Sequence, residues 1–371
     1  MNSKKRIFFT ILIILSFLFN GCNFNPPETI NANVNLGNSN PEPVTHHNNE
    51  EIEASPVVSN YQEDTVSSEN GTPEVPLRKT DTEILEINFP TPAPYPVSLW
   101  RPPLYDVPWA LGPHDHFYFV RPIEADEINW PLANYRYGGV FFGPDIIHTG
   151  VDIPAPRGIP VYAAGKGEVV WDGYGLYLGE NDPTDPYGLA VTIEHDFGYQ
   201  GRKLYTVYAH LDRITVKIGE EVDIDTQVGN IGITGLTTGP HLHFEVRIEG
   251  NSFHKTLNPE LWLSPPQGWG VLVGKLFNTN GSILTGQTIR VKNLHSGQKW
   301  EVISYGSPHI VNSDPYYNEN MALSDLPAGE YEVTIDYLQN SFQKHLVILP
   351  GAITYFSFFG DAGFGPDEPG L

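Results

Sequence analysis

The chain is predicted to be all-β: an antiparallel sheet or sandwich that carries the chemistry, followed by a smaller β-sandwich. Three observations lead there. Gly and Pro are abundant, 36 and 33 of 371 residues, and they punctuate short apolar segments at hairpin spacing. Long runs of helical periodicity are scarce. Where a period is evident it is two: Tyr331, Val333 and Ile335 alternate with Glu332, Thr334 and Asp336, as in a sheet with one wet face. Hydrophobic residues make up 40% of the chain and aromatics 12%, enough for cores in two domains plus linkers.

The N-terminus reads as an address. Lys4, Lys5 and Arg6 precede an apolar run from Ile7 to Phe19, and Gly21-Cys22 follows. These are the parts of a secretory signal, and the run is too short to span a bilayer comfortably. Leu18-Phe19-Asn20-Gly21-Cys22 resembles a bacterial lipobox, with Phe19 and Asn20 in place of its commoner residues. The resemblance implies a lipoprotein signal peptide over 1–22 and anchoring of the mature chain to the membrane through lipidated Cys22. The body would then lie outside the cytoplasm, in the cell envelope. Cys22 is the only cysteine, so an intramolecular disulfide is excluded.

Residues 23–90 are rich in Asn, Glu, Ser, Thr and Pro and poor in aromatics. Such a segment cannot bury enough apolar surface to offset its conformational entropy, and it is expected to be a disordered tether. Its reach as a flexible coil would be about 45 Å. Residues 91–112 form a proline-dense arm, expected to lie extended against the next domain. The formal charge of -23 argues against nucleic-acid binding, because phosphate contacts need clustered Lys and Arg.

Residues 113–265 read as the first globular domain. Strands are predicted at 116–120, 161–163, 167–171, 190–195, 204–210, 219–222, 228–232 and 241–248, with Gly179–Tyr187 as a polar hairpin insertion at the surface. After Pro265-Pro266 a second module is predicted over 266–360, with strands at 270–277, 288–293, 300–304, 329–336 and 344–349. Asp325 to Tyr331 is similar to the turn and strand of carboxypeptidase regulatory-like β-sandwich domains. Residues 361–371 are expected to be a disordered tail. The protein is expected to act as a monomer.

The chemistry concentrates in two short stretches. In Gly239-Pro240-His241-Leu242-His243-Phe244-Glu245, alternation on a strand places His241 and His243 on one face. Leu242, Phe244 and Val246 then face a core. In His148-Thr149-Gly150-Val151-Asp152, Gly150 lets the chain bend so that His148 and Asp152 reach one ion. One imidazole of the His241/His243 pair completes a three-residue N/O donor set that leaves a fourth position for water, the form of a catalytic rather than a structural zinc site. Spacing alone leaves open which of the two binds. His210, in Tyr205-Thr206-Val207-Tyr208-Ala209-His210, is predicted to share a strand face with Tyr208 and Thr206. As an imidazole beside the ion it can hold water or stabilise an oxyanion. The chain reads as a metallohydrolase.

The segments HTGVDIPAPRGIPVYAAGKGEVV, VTIEHDFG, YTVYAHL, VGNIGITGLTTG and GPHLHFEV, spread over Gly143 to Ile248, closely resemble the LytM/lysostaphin-type zinc endopeptidases of peptidase family M23. The resemblance implies an M23 domain over 113–265, Zn2+ held by His148, Asp152 and His243, and catalytic imidazoles at His210 and His241. It implies peptidoglycan stems or cross-bridges as substrate. Some members place an oxyanion-assisting tyrosine shortly before the first ligand. Here that neighbourhood holds Phe141 and Phe142, with Tyr135 and Tyr137 as the alternatives. A non-catalytic scaffold that regulates other wall hydrolases would show gaps in the ligand set, and there are none. A peptidase acting on secreted proteins or peptides would use the same chemistry.

The remaining histidines read as structural or solvated. His114 and His116 form a second HxH without a paired carboxylate motif, and His195 resembles the family's turn histidine outside the metal set. His46 and His47 fall in the tether, and His254, His295, His309 and His345 are isolated. Glu245 shares the face of His241 and His243, where it either bonds a ligand or makes a surface salt bridge.

Overall fold

Runs of Val, Ile, Thr and aromatics between Gly, Pro and Asp turns form sixteen strands among the described residues of this computed structural model, which are 102–123, 135–140, 146–306 and 310–369. The leader with Cys22, the tether, the first half of the arm, Phe141, Phe142 and His309 lie outside the described residues.

The first module holds β1 (Val151–Pro154), β2 (Pro160–Tyr162), β3 (Gly167–Gly173), β4 (Leu189–Tyr199), β5 (Arg202–Ile214), β6 (Glu221–Val222), β7 (Gln227–Ile231), β8 (His241–Ile248) and β9 (Thr256–Leu257). They form one nine-stranded sheet, with the path β1-β8-β5-β4-β3-β6, β2 and β7 joined to β5, and β9 on β8. Every pair in it is antiparallel. All eight residues of β8 are buried. Its even-numbered residues, Leu242, Phe244 and Val246, enter a core with Val191, Ile193, Tyr208 and Trp262. Burying each such side chain is worth about 1.5–3 kcal/mol.

The second module comprises β10 (Trp269–Phe277), β11 (Thr288–Asn293), β12 (Lys299–Ile303), β13 (Met321–Pro327), β14 (Gly329–Tyr337), β15 (Asn340–Ile348) and β16 (Ile353–Phe359). Two sheets, β13-β10-β16 and β12-β11-β14-β15, enclose a core of Leu272, Leu276, Val291, Tyr331, Val333, Phe356 and Phe358. The other face of β10 belongs elsewhere. Val271 and Val273, with Ala322 and Tyr355, sit in the core of the first module. Buried polar contacts reinforce the seam: Arg121 with Asp325 at 2.5 Å, and the Tyr317 hydroxyl donating to Asp115 at 2.7 Å. Where it is described, the arm touches the second module, not only the domain that follows it. Leu104 bridges Pro266, and the Trp109 indole donates to the Gly351 carbonyl at 2.8 Å.

Three expectations are corrected. Residues 116–120 form no strand of their own; Phe117 and Phe119 make single bridges to Trp109 and Leu263. The Gly179–Tyr187 insertion is not wholly a surface feature. Asp185 is fully buried and accepts hydrogen bonds from the Tyr177, Leu178 and Tyr187 amides. Residues 361–369 are not a loose tail either: Gly365 N–H donates to Ser357, and the Phe364 ring packs on Phe356 and Phe358.

Because Val273 of the second module completes the core of the first, Val273→Ala should lower the stability of both together. The expected loss is roughly 2 kcal/mol, seen as a single cooperative unfolding transition by calorimetry rather than two resolved ones.

Candidate metal centre

The ladder between β1, β8 and β5 builds the centre. Asp152 pairs with His243 across β1–β8, and Ala209 pairs with His243 across β5–β8. His148, just before β1, is tied by backbone hydrogen bonds to Gly138 and Gly139. As a result His148 Nε2, Asp152 Oδ1 and His243 Nδ1 lie 2.9–3.0 Å from one another. Among the described residues this is the one cluster able to hold a metal ion. Ligand atoms of a tetrahedral zinc at about 2.0–2.1 Å would sit about 3.3 Å apart, so the donor set fits such an ion with little adjustment.

Gly150 matters through close approach, not through a bend at positive φ. A Cβ there would lie 2.3 Å from the Phe244 carbonyl oxygen and 3.0 Å from the His243 ring. Only glycine lets β1 come this near to β8.

His210 reaches the centre by a route that strand alternation does not give. Tyr208 packs on Phe244 in the core, so an ideal strand would send His210 to the same side. Instead His210 has φ of +62°, where the pairing of β5 with β4 shifts register between Tyr208 and Leu211. Its ring lies 4.8 Å from the His241 ring and 5.6 Å from that of His243. A non-glycine residue held in this region costs roughly 1 kcal/mol, and such strain is concentrated at functional sites.

The free rings are held in one tautomer. His210 Nδ1 donates to the Thr234 carbonyl and His241 Nδ1 to the Gly239 carbonyl, each at 2.8 Å. A carbonyl can only accept, so Nδ1 carries the hydrogen and Nε2 is left with its lone pair. His241 Nε2 is buried without a hydrogen-bond partner, 3.4 Å from Asp152 Oδ2. Burial, helped by the neighbouring imidazoles, pushes the pKa of His210 down to about 3, and burial also lowers that of His241. Both rings are therefore neutral near pH 7.

Behind the donors lies a buried ionic network. Glu245 is not at the surface: it is fully buried and bonds the far nitrogen of His243 at 3.1 Å. It also accepts from Thr149 at 2.5 Å, the Tyr187 hydroxyl at 2.7 Å and Arg247 at 2.6 Å. Burial opposes its ionisation, but Arg247 and His243 outweigh that and hold its pKa down at about 2. Burial likewise opposes charge on His243, yet Asp152 and Glu245 hold its pKa up at about 9. Asp152 is kept ionised mainly by His148, against its own burial. A positive centre is thus already electrostatically favoured between these carboxylates.

The donors open into a cleft of about 370 Å³ with mainly apolar walls, including Ile146, Tyr177, Leu236, Phe253 and Ile310. His254, read as an isolated structural residue, is exposed on its rim. Tyr187 was missed altogether, since it sits in the insertion with no periodic signal. Of the two tyrosines considered for an oxyanion, Tyr137 is committed to Thr256 and Asn312, whereas the Tyr135 hydroxyl lies 3.4 Å from Thr238 in the loop before β8. His116 is buried against Asp314 and Trp262, and His195 bonds Lys166 and Thr206.

Comparison with known proteins places all five site residues in one match. The model of Peptidase family M23 covers residues 146–255. This region is an M23 peptidase domain. The M23 region is 39% identical over 103 residues to the peptidoglycan DD-endopeptidase ShyA of Vibrio cholerae, covering 28% of this chain and 21% of that protein. It is 35% identical over 121 residues to the uncharacterized lipoprotein YgeR of Escherichia coli K12, covering 33% of this chain and 41% of that one. The chain thus spans well under half the length of either relative. Among solved structures, the catalytic domain of lysostaphin from Staphylococcus simulans is 29% identical, with 34% of this chain and 86% of that chain covered at a TM-score of 0.28.

Two substitutions test the architecture of the M23 centre. Glu245→Ala leaves Arg247 buried without its carboxylate and should cost about 3–5 kcal/mol in urea unfolding. With acid, the stabilisation from Glu245 should be complete above its ordinary pKa of 4.5 and fall away as the pH drops towards 2. Glu245→Gln should flatten that part of the pH–stability profile.

Proposed function

We propose that this protein is an extracytoplasmic, lipid-anchored zinc endopeptidase that hydrolyses peptide bonds in the stems or cross-bridges of peptidoglycan. The observation that carries the reading is the convergence of His148, Asp152 and His243 to within 3.0 Å on an open cleft that His210 also lines, with the His241 ring 4.8 Å from that of His210. ShyA is named as a peptidoglycan DD-endopeptidase and YgeR as a lipoprotein, which supports the substrate class and the anchor.

His148, Asp152 and His243 would hold Zn2+ through two nitrogens and one oxygen. Bound there, the ion would supply Lewis acidity towards the scissile carbonyl and lower the pKa of a water. His210 and His241 enter the cycle as proton acceptors at Nε2. One of them takes the proton of the attacking water, and the resulting imidazolium N–H becomes a donor to the oxyanion or the leaving amine. The backbone carbonyls of Thr234 and Gly239 hold the rings so that each proton is exchanged at Nε2. The apolar cleft walls exclude water around the developing charge and strengthen these contacts. The intact donor set and both free imidazoles favour a catalyst over a ligand-free scaffold.

Purified protein should release muropeptides from isolated cell wall, read by mass spectrometry, and a chelator should stop the release until zinc is restored. His210→Ala should retain zinc and lose activity by about 10²–10⁴-fold, the range for a general acid–base group. Normal digestion by His210→Ala would overturn the catalytic assignment. Cleavage of a secreted peptide with no attack on wall would overturn the substrate.

A further inference from the structure

The segment 135–139 lies against the first donor. The Arg136 carbonyl faces His148 Nδ1 at 3.1 Å, and the Asp152 amide donates to the Tyr135 carbonyl at 3.2 Å. An imidazole that ligates through one nitrogen is oriented by whatever bonds the other. The Arg136 carbonyl is that partner, so its position sets the aim of the His148 ring.

The second module grips this segment. The Tyr137 hydroxyl accepts the Asn312 amide hydrogen at 2.8 Å and donates to the Thr256 carbonyl at 2.9 Å. The Tyr305 ring lies edge-on to Tyr137 at 5.3 Å, and a Cβ on Gly138 would meet Tyr305 at 2.2 Å. Arg136 pairs with Glu260, and the same Glu260 oxygen accepts the Ser324 amide at 2.7 Å. Asn312 also runs alongside β9: it bridges Leu257, and its side chain donates to the carbonyls of His254 and Thr256. Two residues before it, Ile310 lines the cleft.

We propose that the C-terminal β module is a working part of the metal centre: Tyr137 and Asn312 are positioning residues that clamp 135–139 and thereby fix the His148 imidazole. Ile310 extends the substrate wall from the same module. The inference rests on the zinc reading above and assigns the module a task in that site, beyond spacing it from the membrane.

The test measures zinc affinity of the full chain by competition with a chromogenic chelator. Tyr137→Phe removes the clamping hydroxyl. Tyr331→Phe is a matched control that removes a hydroxyl bonded to the Pro327 carbonyl at 2.7 Å in the module's other core. Both variants should lose some thermal stability. Tyr137→Phe should also weaken zinc binding by about tenfold, the lower end for outer partners of a metal ligand, while Tyr331→Phe leaves it unchanged. Asn312→Ala, which removes the side-chain donor to the His254 and Thr256 carbonyls and so loosens residue 312 on β9 while keeping its backbone amide, should weaken zinc in the same direction and stands in if Tyr137→Phe does not fold. Parental zinc affinity in both clamp variants, or equal weakening in Tyr137→Phe and Tyr331→Phe, would overturn the inference. A parent chain that takes up no zinc would sink the zinc reading itself, and this inference with it.

Discussion

The pairing of β8 between β1 and β5 is the constraint on which the site depends. A ladder fixes cross-strand neighbours to about 5 Å without any contribution from side chains. Once Asp152 stands opposite His243, with Ala209 on its other side, a carboxylate and an imidazole are delivered to one point by backbone hydrogen bonds alone. A slip of one residue would turn His241 and His243 into the core and Leu242 into the cleft. The aliphatic and aromatic residues on the opposite face of β8 therefore protect the chemistry as well as the fold.

Around this ladder, charge is arranged so that ions stay where they are needed. Asp152 and Glu245 are both buried and ionised, and each is matched by imidazole or guanidinium partners. Breaking one partner of such a set is far more damaging than the net worth of the pair suggests. The network thus makes the position of His243 stiff and leaves the cleft side of the centre open.

Much of this was legible in the sequence. The β8 segment was read with its observed ends, because alternation of histidines with Leu, Phe and Val is strong and local. The joining of His148, Asp152 and His243 was implied by family resemblance, not by spacing, since nothing local says which of two same-face histidines lies nearer a distant carboxylate. The face of His210 was misread for a physical reason: alternation assumes extended backbone, and a left-handed histidine carries no mark such as glycine would. β13 went unseen because Ser324 and Asp325, buried in contacts with Glu260 and Arg121, interrupt its pattern. β16 was hidden by its parallel pairing, which buries most of an aromatic run and leaves little alternation to read.

The backward twist at His210 has a consequence for descent. That position asks for a residue tolerant of left-handed backbone, and glycine or asparagine satisfies it with less strain than histidine. Either replacement would keep the ladder and delete the imidazole. A lineage freed from the need to cut its substrate would thus drift downhill at this codon, gaining robustness as it loses turnover. Inert descendants of such a fold should be sturdy proteins with an intact cage of donors, recognisable by a small residue at this one bend.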